Sequence, residues 1–429
     1  MKQLQKSKWK EAPRVGLIPA DWDYKPLGKI CRASQYGINS SSNRGKRYPI
    51  LKMNNLQNGK VQTEDLDYIN LEIEDCEKYS LKRNDLLVNR TNSYELVGKT
   101  ALFDLPGEYV FASYLVRFRL NENKAYPNYV NYYFNSHRGK YLLQVLATKG
   151  VSQANINPTI LKKQFLIPLP PLAEQRKIAE ILGTWDEAIA LAERRIEAPR
   201  QRKKGLMQRL LTGRVRVPEF EGEAWQTVKL GEIFDERKER GYEELPLLSV
   251  TAEEGIIYRD ELDRRDTSSS DKSNYLRVRE GDVTYNTMRM WQGRSGVSEY
   301  EGIVSPAYTV CEPKPSIDVV FAGYLFQLPS VIYKFRRYSQ GMVSDTWTLR
   351  FDNFAAIKVQ IPSLEEQKKI AAVLQTCDRE IDLLEQKRDA LQRQKKGLMQ
   401  RLLTGRVRVS LPPSNSPQRG EDKARRVGN

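Results

Sequence analysis

The chain has 429 residues, of which 40% are hydrophobic and 9% aromatic, which supplies enough apolar material for packed cores and excludes wholesale disorder. Lys and Arg outnumber Asp and Glu by 70 to 54, and the net charge of +16 favours a polyanionic partner, with nucleic acid as the leading candidate. The four cysteines are scattered and His137 is the single histidine, which argues against a zinc site or a histidine-dependent triad.

The amino terminus carries no signal-peptide pattern. It lacks the apolar core of a signal peptide, and nowhere do ~18 apolar residues follow one another. We therefore expect a cytoplasmic protein with no membrane partner.

Residues 1–167 are predicted to form a first globular domain of mixed α and β structure. Its short β-prone segments, separated by turn signals, include YPILKMNNL, DLLVNRT and YVFASYLVRFRL. The segment YPNYVNYYFNSHRGKYLLQVLA is predicted to be helical.

Residues 168–213 are predicted to form one long helix. Pro170 precedes it, Glu174 lies in its acidic first turn, basic residues crowd its far end and Gly213 closes it. Pro199 conflicts with this pattern, because proline inside a helix costs ~3 kcal/mol or more. We expect a bend or a break there.

Residues 214–359 repeat the first domain faintly. AWQTVKLGEI resembles the earlier DWDYKPLGKI, VREGDVTYNT resembles LKRNDLLVNRT around Asp282 and Asp85, and QGMVSDTWTLRFDNFAAIKVQIP resembles KGVSQANINPTILKKQFLIPLP. DVTYNTM is β-prone, and SIDVVFAGYLFQLPSVIYKFRRY is predicted to be helical. A second long helix follows over residues 360–405, and residues 406–429, rich in Pro, Ser and charge, are interpreted as disordered.

The two helices are copies of each other. The segment KKGLMQRLLTGRVRV occurs at residues 203–217 and again, unchanged, at 395–409. Apolar residues recur in both at alternating spacings of four and three, which is a heptad seam. The predicted seam residues are Ile178, Leu182, Trp185, Ile189, Ile196, Ile370, Leu374, Ile381, Leu384 and Leu391.

Helices of this length need a partner along their length. The simplest arrangement pairs the two copies antiparallel inside one chain; the alternative is two separate seams, each for another protein or for a homodimer. The predicted fold class is α+β: two globular domains of mixed α and β structure with sheets, joined by two long antiparallel coiled-coil helices in a pseudo-twofold arrangement.

The chain resembles the specificity subunit of type I restriction-modification systems, the HsdS family. The resemblance lies in IPLPPLAEQRKIAEIL and IPSLEEQKKIAAVL, in both copies of KKGLMQRLLTG, in the tryptophan that precedes each Leu-Gly, and in NDLLVNRTNSYELVGKTAL. The globular domains would then be target recognition domains, each reading one half of a bipartite site on double-stranded DNA. The paired helices would set the spacer between the halves.

The resemblance also implies partners. Two methyltransferase subunits that modify adenine, and ATP-driven restriction subunits, would assemble with the chain and would hold S-adenosylmethionine, ATP and Mg²⁺. The chain itself would have no cofactor, no metal and no catalytic residue. We expect the repeated segments to dock the methyltransferases through Leu206, Leu210, Leu398 and Leu402.

Polar and basic loops are the candidates for DNA contact, because they combine donors for base edges with donors for phosphates. The first domain offers Gln35, Tyr36, Asn39, Arg44, Lys46, Arg47, Arg90, Thr91, Asn92, Ser93, Tyr94 and Lys99. The second offers Asn286, Arg289, Trp291, Gln292 and Arg294. These loops could also be ordinary solvated surface.

Two other classes of protein remain open at this point. One is a coiled-coil adaptor whose globules bind proteins and whose charge is incidental. The other is a self-sufficient nuclease or methyltransferase, although the chain has no G-x-x-x-x-G-K-[ST] loop and no N/D-P-P-Y/F motif. The adaptor predicts no salt-sensitive DNA affinity, and the enzyme predicts activity from the chain alone.

Overall fold

The computed structural model describes residues 8–39, 44–251, 255–262, 269, 271–342 and 346–410, with the backbone alone for 44–46. The chain forms two compact units. Unit 1 comprises Met1–Leu191 and Arg388–Asn429, and unit 2 comprises Ala192–Lys387. Each unit therefore contains one globule, the first half of one long helix and the second half of the other.

Unit 1 is built mainly of short strands. Its strands are β1 Trp9–Ala12, β2 Gly16–Pro19, β3 Asp23–Pro26, β4 Cys31–Tyr36, β5 Arg44–Leu51, β6 Leu56–Gln57, β7 Gly59–Val61, β8 Asp67–Ile69, β9 Asp85–Asn89, β10 Thr91–Asn92, β11 Thr100–Leu102, β12 Val110–Phe111, β13 Leu115–Leu120, β14 Ala147–Lys149, β15 Ala154–Ile156 and β16 Leu166–Leu169. Its helices are α1 Leu27–Ile30, α2 Ile73–Tyr79, α3 Pro127–Asn135, α4 His137–Leu146, α5 Pro158–Gln164 and the long α6 Leu172–Leu210, which continues into unit 2. A 3₁₀ turn spans Met53–Asn55.

A six-stranded sheet in the order β4-β13-β9-β11-β7-β6 forms the centre of unit 1. All five residues of β9, DLLVN, are buried, because this strand lies in the middle of the sheet between β13 and β11. Smaller sheets flank it, in the orders β12-β5-β8, β10-β15-β14, β16-β3 and β1-β2.

Among the described residues, unit 2 has fewer strands than unit 1 and a smaller central sheet. Its strands are β17 Gln226–Lys229, β18 Phe234–Glu236, β19 Leu248–Val250, β20 Ile256–Tyr258, β21 Leu276–Val278, β22 Val283–Asn286, β23 Ser295–Val297, β24 Gly302–Val304, β25 Tyr308–Pro313 and β26 Lys358–Ile361. Its helices are α7 Leu230–Ile233, α8 Val319–Leu325, α9 Pro329–Tyr338, α10 Phe351–Ala355 and the long α11 Leu364–Leu402, which continues into unit 1. 3₁₀ turns span Pro218–Phe220, Arg259–Glu261 and Met290–Gln292.

The two units share a common framework. The central sheet of unit 2 has the order β18-β25-β22-β23, which matches β4-β13-β9-β11 of unit 1 strand for strand, and β17-β26 matches β3-β16. The segments predicted to be β-prone and helical form strands and helices accordingly, with α3–α4 and α8–α9 as helix pairs. The predicted α+β class with two mixed globules is confirmed.

The long helices begin and end as their sequences predict. Each has 39 residues with an acidic first turn, and each is followed by a glycine in the left-handed region, Gly213 with φ +69° and Gly405 with φ +71°. After each glycine the backbone closes in the same way: Val215 N–H donates to Arg209 O at 3.2 Å, and Val407 N–H donates to Arg401 O at 3.3 Å.

Helix α6 runs through Pro199 without interruption, so the predicted break does not occur. Pro199 is buried, and it follows Ala192 and Ile196 at spacings of four and three residues. It therefore occupies a seam position, where its ring packs as an apolar group. Proline still removes one backbone hydrogen bond from the helix.

Within each unit the two long helices run antiparallel. In unit 1, Lys395 of α11 binds Asp186 of α6 at 2.6 Å. In unit 2 the same helices are joined by the ion pairs Arg200–Glu385, Arg202–Glu380 and Lys203–Asp378. As the residue number rises along α6, the number of its partner in α11 falls, which is the pattern of antiparallel packing. The predicted intramolecular pairing of the two helices is confirmed.

The seam residues divide into two groups. Ile178 and Leu182 pack with Leu402 in the core of unit 1, and Ile370 and Leu374 pack with Leu210 in the core of unit 2. Ile196 and Ile381 are also buried. The half-buried members are Trp185, Ile189, Leu384 and Leu391.

The two compact units divide the chain within the long helices, because each globule packs with parts of both of them. The segment interpreted as a disordered tail begins at residue 406. Its residues 406–410 are described, and Arg408 binds Glu174 at 2.8 Å. Residues 411–429 lie outside the described residues.

Candidate nucleic-acid interface

The same junction recurs in both units where a long helix leaves its globule. In unit 1, Arg408 makes a bidentate pair with Glu174, with its Nε donating to Oε1 at 2.8 Å and its Nη2 to Oε2 at 2.9 Å. In unit 2, Arg216 pairs with Glu366 in the same way at 2.8 and 2.7 Å. Glu174 and Glu366 are almost fully buried. Each pair therefore fixes the end of one long helix to the start of the other.

The glutamine that follows each of these glutamates ties the helix to its globule. Gln175 accepts a hydrogen bond from Tyr126 N at 2.8 Å and donates to Pro170 O at 2.8 Å. Gln367 accepts from Asp318 N at 2.8 Å and donates to Pro362 O at 3.0 Å. The Glu-Gln dipeptide in both copies thus has the same structural role.

A second recurring contact joins three side chains. Tyr132 Oη donates to Asp186 at 2.7 Å, and Lys395 binds the other carboxylate oxygen while lying 5.2 Å from the tyrosine ring. Burial and then the hydrogen bond to Asp186 raise the pKa of Tyr132, so the phenol stays protonated and remains a donor.

Unit 2 has the same contact between Tyr324, Asp378 and Lys203. In both contacts, and in both junction pairs, corresponding residues are 192 positions apart. Lys203 and Lys395 are the first residues of the two repeated segments.

The four leucines predicted to dock the methyltransferases pack against the cores of their own units. Leu210 and Leu402 are 6% and 1% exposed in the cores of their units, and Leu206 and Leu398 are partly buried against the same cores. Their side chains hold the repeated segment to its own chain. A partner that recognises the segment would have to contact its exposed residues.

Each central strand is held by a buried aspartate. Asp85 accepts from Arg119 Nε at 2.9 Å and from Lys82 N at 2.9 Å. Asp282 accepts from Arg237 Nε at 2.8 Å and from Arg279 N at 2.8 Å. The aligned aspartates therefore position the strand from which the candidate loops leave.

In unit 1 the structure brings Tyr36 and Arg90 together. The Arg90 guanidinium lies 5.2 Å from the centre of the exposed Tyr36 ring. Arg90 directly follows β9, and its backbone is held by Tyr114 O and by Ile156 N, at 2.9 and 2.8 Å. An aromatic ring and a cation thus share one surface at the end of the central strand.

Beyond Arg90, the short strand β10 pairs with β15. Thr91 Oγ1 lies 3.4 Å from Asn155 Oδ1, and Lys149 lies 3.9 Å from the centre of the Tyr94 ring. Asn92 accepts from Ser93 N at 2.8 Å, which shapes the turn. Thr91, Asn92, Ser93 and Tyr94 are therefore all part of one surface with β14 and β15.

Other predicted residues of unit 1 are placed differently. Gln35 accepts from Arg117 and donates to Lys78 O at 3.2 Å, so its amide is engaged inside the globule. Asn39 and Arg47 are exposed, and Arg47 lies over the Tyr48 ring. Lys99 lines a cleft of about 250 Å³ with Lys140 and Glu95. The side chains of Arg44 and Lys46 lie outside the described residues.

In unit 2 the loop after β22 is organised by aromatic contacts. Trp291 packs edge-on against Trp347, with ring centres 5.3 Å apart, and Arg336 lies 5.1 Å from the centre of the Trp347 ring. The Trp291 indole donates to Met288 O at 3.1 Å. Arg289, Gln292 and Arg294 are exposed.

Asn286 has a structural role. Its Oδ1 accepts from Met288 N at 3.0 Å, which reproduces the 3.1 Å contact of Asn89 with Thr91 N in unit 1. Both asparagines end a central strand and shape the turn that follows. Asn286 therefore positions the loop, and Asn89 was its unrecognised counterpart.

The prediction missed several residues of these surfaces. Lys149 and Asn155 belong to KGVSQANINP, for which the sequence indicates only a likeness between the two domains. Arg336 lies in a segment for which the sequence predicts only a helix. The pairing of β15 with β10, and the contact of Arg336 with Trp347, bring them to the candidate loops. Only tertiary contacts reveal this proximity.

Within the described part of the chain no group of His, Cys, Asp and Glu could hold a metal ion. In the segment FDERK, residues 234–238, the carboxylates are engaged in ion pairs, Asp235 with Lys314 at 3.0 Å and Glu236 with Lys238 at 2.8 Å. Of the helices that the structure describes, none has the length and apolar character to cross a membrane.

Comparisons with known proteins agree with this geometry. The model of the type I restriction modification DNA specificity domain matches residues 19–198 and again 222–393. A Methanocaldococcus jannaschii protein assigned as the type I restriction enzyme MjaX specificity subunit is 30% identical over 92% of this chain and 96% of its own length. The type I restriction enzyme EcoKI specificity subunit of Escherichia coli is 28% identical over 47% of this chain and 44% of its own.

Solved structures give the same fold. The S subunit of a type I restriction-modification system from M. genitalium aligns with a TM-score of 0.53 at 17% identity, covering 89% of this chain and 96% of that one. A chain from a study of assembly of the type I R-M system aligns with a TM-score of 0.55 at 18% identity, covering 91% and 99%. With two matches to the family model and a relative along nearly its whole length, the chain belongs to the family of type I restriction-modification specificity subunits.

Proposed function

We propose that this chain chooses the DNA sequence on which a type I restriction-modification complex acts. Each globule reads one half of a bipartite, asymmetric site in double-stranded DNA, through the surface at the end of its central strand. The chain supplies sequence choice and catalyses no step by itself. Methylation and cleavage belong to partner subunits, which hold S-adenosylmethionine, ATP and Mg²⁺.

One observation carries this proposal. The two units share the same structural framework but differ in the surface at the end of the central strand. The junction pairs, the Tyr–Asp–Lys contacts and the strand aspartates recur in both units. At the end of the central strand, however, unit 1 has Arg90 against Tyr36, whereas unit 2 has Trp291 against Trp347. A constant scaffold with different polar and aromatic faces fits a reader of two different half-sites.

The long helices would fix the unread spacer. Each has 39 residues and passes from one unit into the other, so each measures about 60 Å at 1.5 Å per residue. Several of their basic residues are paired with acids on the opposite helix, including Arg200, Arg202 and Lys395. These three are engaged in helix pairing and are therefore not proposed as contacts to spacer phosphates.

The exposed face of each repeated segment would dock one methyltransferase. The two repeated segments are also identical at positions whose side chains are exposed in both copies. These are Lys204, Gln208, Arg209, Arg214 and Val215, with Lys396, Gln400, Arg401, Arg406 and Val407 as their counterparts. Packing inside the chain explains why the buried residues of the two segments are identical, but it does not explain the identity of the exposed residues. The identical exposed residues therefore support the binding of two copies of one partner that has an acidic binding surface.

A genome-wide map of methylated adenines, with the gene intact and then deleted, tests the recognition role. We expect a two-part motif with a fixed gap to lose methylation on deletion. Salt dependence separates this function from that of a protein-binding adaptor. A reader with 6 to 10 phosphate contacts loses roughly 10³- to 10⁵-fold in DNA affinity between 50 and 200 mM salt, whereas an adaptor shows no such affinity.

Charge reversal tests the docking surface. Arg209→Glu and Arg401→Glu should each reduce the number of bound methyltransferase subunits from two to one, and the double variant should bind none. Arg194→Glu is the matched control, because Arg194 is an exposed arginine of the same helix outside the repeat. Subunit stoichiometry is measured by native mass spectrometry. Retention of both subunits by the double variant would contradict this docking surface.

A further inference from the structure

Each unit carries one unusually exposed apolar side chain, here called the tip residue, in the segment that connects two antiparallel-paired stretches of backbone. Val151 in unit 1 is 111% exposed and Met342 in unit 2 is 99% exposed. The next most exposed large hydrophobic side chain among the described residues is Leu383 at 66%. Both tip residues directly follow a glycine, Gly150 or Gly341, so the exposure recurs at the same place in the shared framework.

The hairpin of unit 1 is rigidly built up to its tip. Strands β14 and β15 pair in register from Ala147↔Ile156 to Lys149↔Ala154, and Gly150 N–H donates to Gln153 O at 2.8 Å to close the turn. In unit 2, Gln340 and Thr348 form the corresponding antiparallel bridge. Gly341 has φ +150°, and a Cβ there would lie 2.5 Å from Thr346 O, so this turn requires glycine.

Both hairpins are fastened to the loop that leaves the central strand. Ile156 N–H donates to Arg90 O at 2.8 Å, and Leu349 N–H donates to Thr287 O at 2.9 Å. The aligned strands place Arg90 and Thr287 at corresponding positions. Each exposed tip is therefore carried by the surface that we assign to DNA.

Cations and aromatic rings surround these hairpins. Lys149 lies over Tyr94, and Arg336 lies over Trp347. Glu95 has a lowered pKa, mainly through hydrogen bonds to its own backbone and to Ser93, and its interaction with Lys149 lowers that pKa further. A fully exposed apolar group on a surface that also carries a cation suits base pairs flanked by phosphates, because bases offer apolar contacts and phosphates bind the cation.

We propose that Val151 and Met342 contact the bases of their half-sites directly, as apolar probes at the hairpin tips. This inference rests on the proposed function and adds specificity-determining residues to it. Two contacts share this chemistry: packing against a thymine methyl group in the major groove, and insertion between neighbouring base pairs.

The test uses the full chain and a 40-base-pair duplex containing the motif found by methylation mapping. Val151→Thr retains the shape of the side chain but exchanges a methyl group for a hydroxyl, and full exposure means that folding does not depend on it. We expect roughly 5- to 100-fold weaker binding to the cognate duplex. The slope of affinity against salt should not change, since no phosphate contact is lost.

Ile73→Thr is the matched control, because Ile73 is 64% exposed and lies at the start of α2. The effect of Val151→Thr should disappear on a duplex whose first half-site is scrambled. Met342→Gln should behave in the same way toward the second half-site only. Replacing thymine by uracil in the half-site reveals a methyl contact, and a rise in 2-aminopurine fluorescence on binding reveals insertion.

The possible failures are distinguishable. If the wild-type chain does not prefer its cognate duplex, the proposed function fails. If it does, and Val151→Thr and Met342→Gln bind like the wild type, the tips do not contact bases and this inference is overturned. An equal loss of affinity on cognate and scrambled DNA would also overturn it, because the contact would then carry no sequence information.

Discussion

The two junctions differ at their tryptophans, although their ion pairs match. In unit 1, Trp22 Nε1 donates to Glu174 at 3.2 Å. In unit 2 the Nε1 of Trp225, which holds the aligned position, is buried without a hydrogen-bond partner. A Cβ added to Gly405 would lie 2.3 Å from Pro19 Cγ, whereas one added to Gly213 would lie 3.4 Å from the Trp225 ring.

The junction of unit 1 is thus tighter and better hydrogen-bonded than that of unit 2. Its arginine also binds Asp21, a residue that Ala224 replaces in the aligned segment of unit 2. Because the repeated segments are identical, this difference arises from the globule that receives each segment. One sequence can therefore have two different energetic roles in the same chain.

The largest effect is expected from Arg216→Ala. Glu366 is fully buried and would lose its charge partner, so we expect a loss of about 3 to 5 kcal/mol in the free energy of unfolding. Arg408→Ala should cost less, about 1 to 3 kcal/mol, because Glu174 keeps its hydrogen bond from Trp22 and Arg408 is 44% exposed. Urea titration of both variants measures the difference, and equal losses would show that the tryptophans do not matter.

The second largest loss of stability is expected from truncation of the leucines in the repeated segments. Leu402→Ala removes a side chain that is 1% exposed, and we expect a loss of about 2 to 5 kcal/mol in stability. Leu398→Ala should cost about half as much, because Leu398 is only partly buried. Thermal unfolding measures both. If Leu402→Ala unfolded like the wild type but lost the methyltransferase, the leucine would be a docking residue after all.

Replacing Pro199 by leucine makes the first helix match the second, which has Leu391 at this position. The substitution restores a backbone hydrogen-bond donor inside α6, and we expect a gain of about 1 to 2 kcal/mol in stability. Leu391→Pro is the reciprocal variant and should destabilise by a larger amount. An unchanged urea midpoint for Pro199→Leu would mean that the helix already accommodates the proline at no cost.

The smallest effect concerns pH. The hydrogen bond from Arg408, partly offset by burial, lowers the pKa of Asp21, so the contribution of this pair is present above the ordinary pKa of 3.8 and is lost as pH falls through the lower folded value. Because Asp21 is 57% exposed, Asp21→Ala should cost less than about 1 kcal/mol at pH 7 and almost nothing near pH 2. A cost that persists at pH 2 would show that packing, and not charge, is responsible.

The framework shared by the two units could be predicted because its sequence patterns occur twice in the chain. The long helices, their antiparallel pairing and the strand aspartates follow from repeated patterns. The candidate loops could be predicted only as polar segments, and Gln35 and Asn286 were selected although the structure engages both internally. Side-chain direction depends on contacts such as that of Arg117 with Gln35, which lie 82 residues apart in the sequence.

The exposure of Val151 and Met342 could not be predicted from the sequence. An isolated valine or methionine after a glycine is equally compatible with a buried turn, and hydrophobicity alone favours burial. Their exposure, and the bonding of each hairpin to the loop beside the central strand, are visible only in the structure. Residues that the two domains do not share leave no repeated pattern to interpret.

The discontinuity of unit 1 has a consequence for biosynthesis. Unit 2 is one continuous segment, Ala192–Lys387, whereas unit 1 needs residues after Arg388 to complete its core. At roughly 5 to 20 residues per second, a ribosome takes about 10 to 40 s to add the ~200 residues between them. During that time Trp22, Ile178 and Leu182 have already been synthesised. Leu402 and Leu403, which share their core in the finished unit, have not. The unit whose synthesis begins first is therefore completed last.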